Sequence, residues 1–99
     1  MPDNEVTMEV DNFGNKRWRN KNGVFHRLDG PAVEPSNGDK QWYLNGVLHR
    51  EGGPAIERSD GSKEWYLNGV SFKTKESYFD ALSYEGKRLC LISEDFLNA

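Results

Sequence analysis

Apolar and polar residues along most of this chain follow one pattern that recurs at a fixed interval. The segment Trp42–Val47, WYLNGV, is repeated without change as Trp65–Val70, which begins 23 residues later. His26–Glu34 matches His49–Glu57 at the same interval, and a weaker copy surrounds Trp18. A fixed period of this length is typical of architectures in which each repeat is one supersecondary element. The chain therefore contains three tandem units of about 23 residues, centred on Trp18, Trp42 and Trp65.

Two turn signals divide the units into strands. Asn45-Gly46 and Asn68-Gly69 lie between apolar runs. Asn-Gly in this setting favours a type I′ hairpin, because both central residues of that turn need positive φ. Ser36–Gly38 and Ser59–Gly61 predict type I turns that end in a left-handed glycine. Together the turns predict an antiparallel meander of β-hairpins over residues 7–73.

The Asn-Gly turns also predict which side chains share a face of the sheet. In a two-residue hairpin the register places Trp42 opposite His49 and Trp65 opposite Phe72. One face then carries Trp, Leu and Val, and we name it the Trp face. The other, the Tyr face, carries Tyr and charged residues. We expect the Trp face, with Trp42 and Trp65, to form the hydrophobic core.

The pattern changes at Thr74. This residue precedes an apolar stripe at helical spacing and predicts a helix from Lys75 to Leu82. Leu89–Ile92, LCLI, is a short apolar run that predicts a buried strand, and Ser93 predicts the cap of a last short turn. We expect the tail at residues 74–99 to be a capping helix and strand that cover one face or the end of the sheet.

The expected fold is mostly β with a C-terminal helix, in a single domain over residues 1–99. It is an antiparallel meander of tandem hairpin repeats of about 23 residues, three of them in 7–73, capped by a small α/β tail in 74–99. A chain of 99 residues can bury a modest core. Its aromatic content of 12% is unlike that of disordered chains.

Charge and cysteine content narrow the classes of partner and compartment. The net charge of −3 and the pI of about 5.3 disfavour a general nucleic-acid binder. Cys90 is the only cysteine, so no intramolecular disulfide can form, which fits a reducing compartment. Met1–Val10 is acidic and lacks the apolar run of a signal peptide, and no apolar stretch is long enough to span a bilayer. We therefore expect a cytoplasmic protein.

The segment Trp42–His49, WYLNGVLH, resembles the core of MORN-type repeats, in which tryptophan, asparagine-glycine and histidine follow one another in a hairpin. The likeness covers roughly Thr7 to Lys73. It departs at Arg27 and Arg50, where MORN repeats usually have glycine. The variant His-Arg-x-x-Gly-Pro-Ala is similar to repeats in uncharacterised proteins of bacteriophages and large DNA viruses. MORN-type repeats generally act as scaffolds, so the resemblance implies binding rather than catalysis.

The two histidines are the first candidates for chemistry. His26 and His49 could serve as metal ligands or general bases, but each stands opposite a tryptophan and Phe72 occupies the same position in the third unit. A position that accepts phenylalanine favours ring packing, and no Cys-His or Glu-His spacing indicates zinc. Cys90 lies in an apolar run and is expected to be a buried small residue rather than a nucleophile. We expect no catalytic residue, no metal and no cofactor.

The first unit carries the one charge asymmetry of the chain, because no acid lies between Gly14 and Leu28. The hairpin register places Arg17 opposite Arg27. Like charges face to face are unfavourable unless a partner's carboxylates or phosphates offset them. Charge reversal of the strand arginines is then expected to leave stability unchanged or slightly raised and to weaken binding, with a solvated strand face as the alternative. The candidate partner-binding cations are Arg17, Arg19, Lys21 and Arg27.

The Tyr face offers a second candidate surface for a partner. Tyr43, Tyr66 and Arg50 are expected together on this face. Tyrosine and arginine are enriched at the centres of protein interfaces, so these three residues are candidate partner-binding residues. The alternative is that the C-terminal helix covers the Tyr face.

These features favour a binding module over an enzyme; a hydrolase has only the histidines for support. We expect a non-enzymatic protein-binding module whose partner is a host or viral protein. The resemblance to phage proteins implies an inhibitor of a host defence protein, such as a CRISPR or other nuclease, that acts by surface occlusion in the infected cell's cytoplasm. The alternative is an adaptor that binds the phosphates of nucleic acid or lipid headgroups through the basic first unit. Phosphate binding would fall steeply with salt.

Overall fold

The computed structural model describes residues 5–99, in which the tandem units form two antiparallel sheets. Positions 1–4 of the segment Met1–Val10, from which an expectation was drawn above, lie outside the described residues. The strands are β1 (Val6–Val10), β2 (Lys16–Asn20), β3 (Val33–Glu34), β4 (Lys40–Gln41), β5 (Tyr43–Leu44), β6 (Val47–Leu48), β7 (Ile56–Glu57), β8 (Lys63–Leu67) and β9 (Val70–Phe72). The larger sheet has seven strands in the order β1-β2-β3-β4-β7-β8-β9, and the smaller sheet pairs β5 with β6. The predicted mostly-β antiparallel fold is confirmed.

The Asn-Gly hairpins adopt the predicted turn. Asn45 and Asn68 have φ angles of 50° and 51°, and the glycines that follow them have φ angles of 84° and 82°. Positive φ at both central positions is the requirement of a type I′ turn. Trp65 lies opposite Phe72 as the register predicts. In the second unit the N–H of the paired histidine donates to the Trp42 carbonyl at 3.1 Å.

The Gly-Pro-Ala segments join each unit to the next strand. Ala32 and Ala55 have no exposed surface. Their carbonyls accept hydrogen bonds from the N–H groups of Trp18 and Trp42, each at 2.8 Å. Their own N–H groups donate to strand carbonyls of the following unit, at 2.8 and 2.9 Å. Because packed interiors leave little spare volume, a fully enclosed position between two strands favours a residue as small as alanine.

Three helices follow the sheets: α1 (Lys75–Ala81), α2 (Tyr84–Ile92) and α3 (Glu94–Leu97). The side chain of Thr74 caps α1 by accepting a hydrogen bond from the Ser77 N–H, so the predicted helix start is confirmed. Ser93 caps α3 in the same way, and the short turn predicted after it is a helical turn. The caps fix where α1 and α3 begin.

The predicted buried strand at Leu89–Ile92 is wrong, because this segment is the second half of α2. A four-residue apolar run does not by itself distinguish a strand from a helix. Only Cys90 of the run is buried, and it shares the inner face of the helix with Gly86, four residues earlier. The tail at residues 74–99 is therefore helical and carries no strand.

The helices bury only the last tryptophan of the Trp face. Trp65 is 8% exposed and packs against the rings of Tyr78 and Phe96, with centroid distances of 4.8 and 5.8 Å. Trp42 stays half-buried, so the prediction that both tryptophans form the core is right for Trp65 and wrong for Trp42. The first helix of the cap contacts β8 and β9, the two strands of the last hairpin. Within residues 5–99, no helix has both the length and the apolar character that crossing a bilayer requires.

Candidate functional site

The two histidines bind the hairpin turn of the following unit. Nδ1 of His26 accepts a hydrogen bond from the Asn45 N–H, and Nδ1 of His49 accepts one from the Asn68 N–H, both at 2.9 Å. An imidazole that accepts at Nδ1 carries its proton on Nε2. For His49 this Nε2 lies 3.4 Å from the Glu51 carboxylate. His26 is buried and His49 is half-buried, and each ring also fastens one unit to the next.

The third unit has phenylalanine at this position, and the helical tail rather than another hairpin follows it. Phe72 packs edge-on against the Tyr78 ring of the helical cap, at a centroid distance of 6.3 Å. A signal for the hydrogen bond is present in the sequence: each histidine is followed 19 residues later by the asparagine of an Asn-Gly turn. Phe72 is not.

A second connection joins the units at the opposite end of the hairpins. Oδ1 of Asn15 accepts from the Ser36 N–H at 2.8 Å, and Oδ1 of Asp39 accepts from the Ser59 N–H at 2.7 Å. Each acceptor directly follows the left-handed glycine of its own turn. The repeated Asx and His residues therefore hold successive units together at both ends.

Arg27 and Arg50 lie over the tryptophan rings of their own units. The guanidinium carbon of Arg27 is 3.9 Å from the Trp18 ring centroid, and that of Arg50 is 3.8 Å from the Trp42 centroid. Both distances are in the range of cation–π contacts. Each arginine also donates to the carbonyl of the motif proline four residues later, at 3.0 and 3.1 Å. The arginine of the His-Arg-x-x-Gly-Pro-Ala motif thus connects the Gly-Pro-Ala segment, the corner of each unit, to the tryptophan ring.

Glutamates and glycines of the motif complete this arrangement. The two arginines pair with Glu34 at 3.7 Å and with Glu57 at 3.2 Å. The guanidinium groups pack so closely on Gly30 and Gly53 that a Cβ there would lie 2.9 and 2.8 Å from the guanidinium carbon. The repeated Arg, Glu and Gly positions therefore form one structural group.

Arg50 consequently lies on the Trp face, and its predicted place on the Tyr face is wrong. After His49 the chain leaves its hairpin partner, and the Arg50 N–H donates to the Tyr66 carbonyl of the next unit at 3.3 Å. The same exit occurs in the first unit, where the Arg27 N–H donates to the Tyr43 carbonyl at 3.2 Å. The alternation of faces holds only while the pairing is continuous.

The predicted opposition of Arg17 and Arg27 is wrong for the same reason. Arg17 lies between Glu9 of β1 and Val33 of β3, which are its partners in the sheet. Arg27 has left the hairpin and covers the tryptophan ring of its unit. Lys21 is exposed in the loop that follows β2. The four candidate cations therefore do not converge on one patch of facing like charges.

Acids of the first strand and its turn pair with the arginines of β2. Arg17 contacts Asp11 at 3.3 Å, and Arg19 contacts Glu9 at 2.7 Å. Hydrogen bonds from the Asn15 side chain and backbone, with weaker help from Arg17, lower the pKa of Asp11 to about 2. The asymmetry that is visible within residues 14–28 is thus offset by residues from outside that segment.

Tyr43 and Tyr66 are half-buried on the Tyr face. Their hydroxyls donate to side chains two residues earlier in the chain: Tyr43 to Gln41 Oε1 at 3.5 Å and Tyr66 to Glu64 Oε1 at 3.2 Å. Burial raises the pKa of Tyr66. The helices pack against Trp65, on the opposite face of β8, so the alternative in which they cover the Tyr face does not hold.

The outer face of α2 was not among the sequence-based candidates. The helix buries its small residues, Gly86 and Cys90, because it packs closely on the segment before Pro54: a Cβ at Gly86 would lie 2.9 Å from Glu51 Oε1, and a Cβ at Gly52 would lie 3.6 Å from the Cβ of Leu89. Its large apolar residues point away from the sheet, with Tyr84 75% and Ile92 80% exposed. If the run LCLI is interpreted as helical, Leu91 and Ile92 are predicted on this outer face. We name the outer residues the α2 ridge: Tyr84, Arg88, Leu89, Leu91 and Ile92.

A groove of about 570 Å³ lies beside this ridge on the Trp face. Leu89 belongs to both, so the ridge and the groove form a continuous surface. We name the cavity the Trp groove. Its apolar lining comes from Leu28, Trp42, Leu44 and Leu89, and its charged lining comes from Arg27, Asp29, Arg50, Glu51 and Asp95.

Comparison of the chain with protein-family models, with curated proteins and with solved structures gave no match in any of the three. The relation to MORN-type repeats stays a prediction from the sequence. Among residues 5–99, no group of three or more His, Cys, Asp or Glu side chains is placed to hold a metal ion.

Proposed function

We propose that this chain is a non-enzymatic protein-binding module and that the α2 ridge, with the adjoining Trp groove, is its contact surface. The outward placement of the large apolar residues of α2 carries this proposal, since Leu91 and Ile92 are 60% and 80% exposed while the buried positions are small. Contiguous exposed apolar surface on a folded protein is characteristic of interaction sites.

The internal use of the repeated residues supports the same choice. His26 and His49 have Nδ1 engaged by the next turn, and Arg27 and Arg50 are held by rings, carbonyls and glutamates. Residues that recur in the units therefore maintain the sheet. Within residues 5–99 the ridge occurs once, as expected of a surface adapted to a partner.

The alternative of a phosphate-binding adaptor has less support. Arg17 and Arg19 would have to exchange their pairs with Asp11 and Glu9 for phosphate contacts. The resemblance to phage and viral repeat proteins leads us to propose further that the partner is a host or viral protein, such as a defence nuclease, and that the module inhibits it by covering its surface.

The test compares a ridge variant with a matched control. Tyr84→Ser combined with Ile92→Ser removes two ridge side chains, whereas Val70→Ser removes an aliphatic side chain that is 59% exposed on the β9 hairpin. A partner is captured with the wild-type chain from lysate of the cell that carries the gene, purified and titrated calorimetrically against each variant. A buried side chain of this size contributes about 1.5–3 kcal/mol, so we expect the double variant to bind at least about tenfold more weakly.

Val70→Ser should bind like the wild type. Equal affinity of the ridge variant and the wild type would show that α2 is not the contact surface. Light scattering supplies a separate result: a wild-type dimer that Ile92→Ser converts to a monomer would mean that a second copy of the chain covers the ridge.

A further inference from the structure

We infer that the Trp groove binds an extended segment of the partner in which an apolar side chain is flanked by lysine or arginine. This inference rests on the proposed protein-binding function. It follows from three properties of the groove: an apolar lining that is accessible, arginines that are already paired, and an excess of carboxylates at the rim.

The apolar lining is open to a side chain from outside. Trp42 and Leu44 are half-buried, while Leu28 is 62% and Leu89 45% exposed on the groove. A volume of about 570 Å³ is in the range of ligand sites and exceeds that of a single amino-acid side chain. An aliphatic or aromatic side chain between Leu28 and Leu89 would bury the exposed surface of both.

The two arginines in the groove do not make it an anion site. Arg27 is paired with Asp29 at 3.0 Å and with Glu34 at 3.7 Å. Arg50 is paired with Glu57 and with Asp95, each within hydrogen-bond distance. Each guanidinium thus contacts two carboxylates of its own chain. An incoming phosphate or carboxylate would compete with both, and it would enter a region where acids outnumber bases.

The carboxylates at the rim can accept further hydrogen bonds. Asp29 and Asp95 have side chains that are 87% and 55% exposed, and each uses one oxygen for its arginine. Ionised carboxylates offer about four acceptor sites, so the second oxygen of each can accept from a cation. Glu51, 39% exposed, lies on the same groove. Lysine or arginine on either side of the buried apolar residue would complement this charge pattern.

Three synthetic peptides probe the groove directly: capped Gly-Lys-Leu-Lys-Gly, Gly-Glu-Leu-Glu-Gly and Gly-Lys-Ser-Lys-Gly. Each is titrated into the full ¹⁵N-labelled chain, and the Trp42 indole N–H and the Leu44 and Leu89 amides are followed by NMR. We expect the Lys-Leu-Lys peptide to shift these signals and the other two to shift them at least about fivefold less at equal concentration. Higher ionic strength should weaken its binding.

A rim variant and a control variant test whether the rim charges contribute to binding. Asp29→Asn combined with Asp95→Asn removes two rim charges, and Asp80→Asn removes one exposed charge from α1, outside the groove. The rim variant should bind the Lys-Leu-Lys peptide at least about fivefold more weakly, and Asp80→Asn should bind it like the wild type. Folding of both is checked by the dispersion of the remaining amide signals.

The inference is overturned if no peptide shifts the Trp42 indole, if the Glu-Leu-Glu peptide binds more tightly, or if Lys-Ser-Lys binds equally well. These results leave the proposed function intact when the ridge variant still loses partner binding. Conversely, a Lys-Leu-Lys peptide in the groove together with full partner binding by the ridge variant would contradict the ridge as contact surface and keep the groove.

Discussion

Tyr78→Phe tests how the helical cap is fastened to the sheet. Tyr78 is fully buried, and its hydroxyl donates to the Arg50 carbonyl at 2.6 Å and accepts from the N–H groups of Gly52 and Gly53 at 3.0 and 3.4 Å. The substitution keeps the ring contact with Trp65 but leaves the carbonyl and at least one N–H buried without a partner. One unsatisfied buried group costs about 1–3 kcal/mol, so we expect the free energy of unfolding to fall by about 2–4 kcal/mol.

Urea denaturation followed by tryptophan fluorescence measures this loss, because Trp65 lies against the substituted ring. Tyr84→Phe is the matched control, since it removes the same hydroxyl from a residue that is 75% exposed. The control should stay within about 0.5 kcal/mol of the wild type. If Tyr78→Phe lost no more stability than Tyr84→Phe, the hydroxyl would not be what holds the cap.

The same hydroxyl gives a dependence on pH. Burial, with a further contribution from Cys90, raises the pKa of Tyr78 from its ordinary value of 10.0 to about 12. A raised pKa means that the folded state favours the neutral phenol, so this stabilisation is complete below pH 10 and is lost as the pH rises through about 12. The difference in unfolding free energy between the wild type and Tyr78→Phe should therefore shrink over this interval. A constant difference would contradict the assignment.

Three further expectations concern the hairpin units. His49→Phe removes the acceptor of the next turn's amide and should cost about 1 kcal/mol with the fold intact; unchanged hydrogen exchange of that amide would contradict it. Charge reversal at Arg17 and Arg19, contrary to the sequence-based expectation, should lower stability by about 0.5–1 kcal/mol through loss of their ion pairs, as measured by urea denaturation; a gain would restore that expectation. The lowered pKa of Asp11 makes its contribution complete above pH 3.8 and lost as the pH falls toward about 2. Asp11→Asn should therefore show a flatter acid denaturation curve than the wild type.

The units and their turns could be predicted because their signals are local. Asn45 and Asn68 adopt left-handed φ angles that the Asn-Gly dipeptide itself favours. Thr74 begins a helix through a side-chain hydrogen bond within its own first turn. Interactions between neighbours in the chain decide both features, so no knowledge of the tertiary fold was needed.

The placement of the arginines could not be predicted from the hairpin register. The register ends at the histidine, where the chain crosses to the next unit, so Arg50 reaches the Trp face through a contact with Tyr66 that is not local. The acids that neutralise Arg17 and Arg19 come from β1 and its turn, which the charge count within the first unit did not include.

The sequence does not predict the candidate surface, because four apolar residues in a row favour a buried segment. In a helix the run Leu89–Ile92 spreads around the axis, and only Cys90 of the run is buried. The large residues are exposed because α2 packs through Gly86 on the corner of the second unit. Helical phase and packing distance, which the local pattern does not contain, decide that outcome.

Site-specific photo-crosslinking in the native cell tests the contact surface most directly. A photoreactive benzoyl-phenylalanine replaces Arg88 on the α2 ridge, where the side chain is 64% exposed, and in a separate chain it replaces Ser71, which lies opposite Tyr66 on the Tyr face. The proposal predicts that the probe at Arg88 becomes joined to one defined partner protein and that the probe at Ser71 does not. A crosslink at Ser71 without one at Arg88 would contradict the assignment of the ridge.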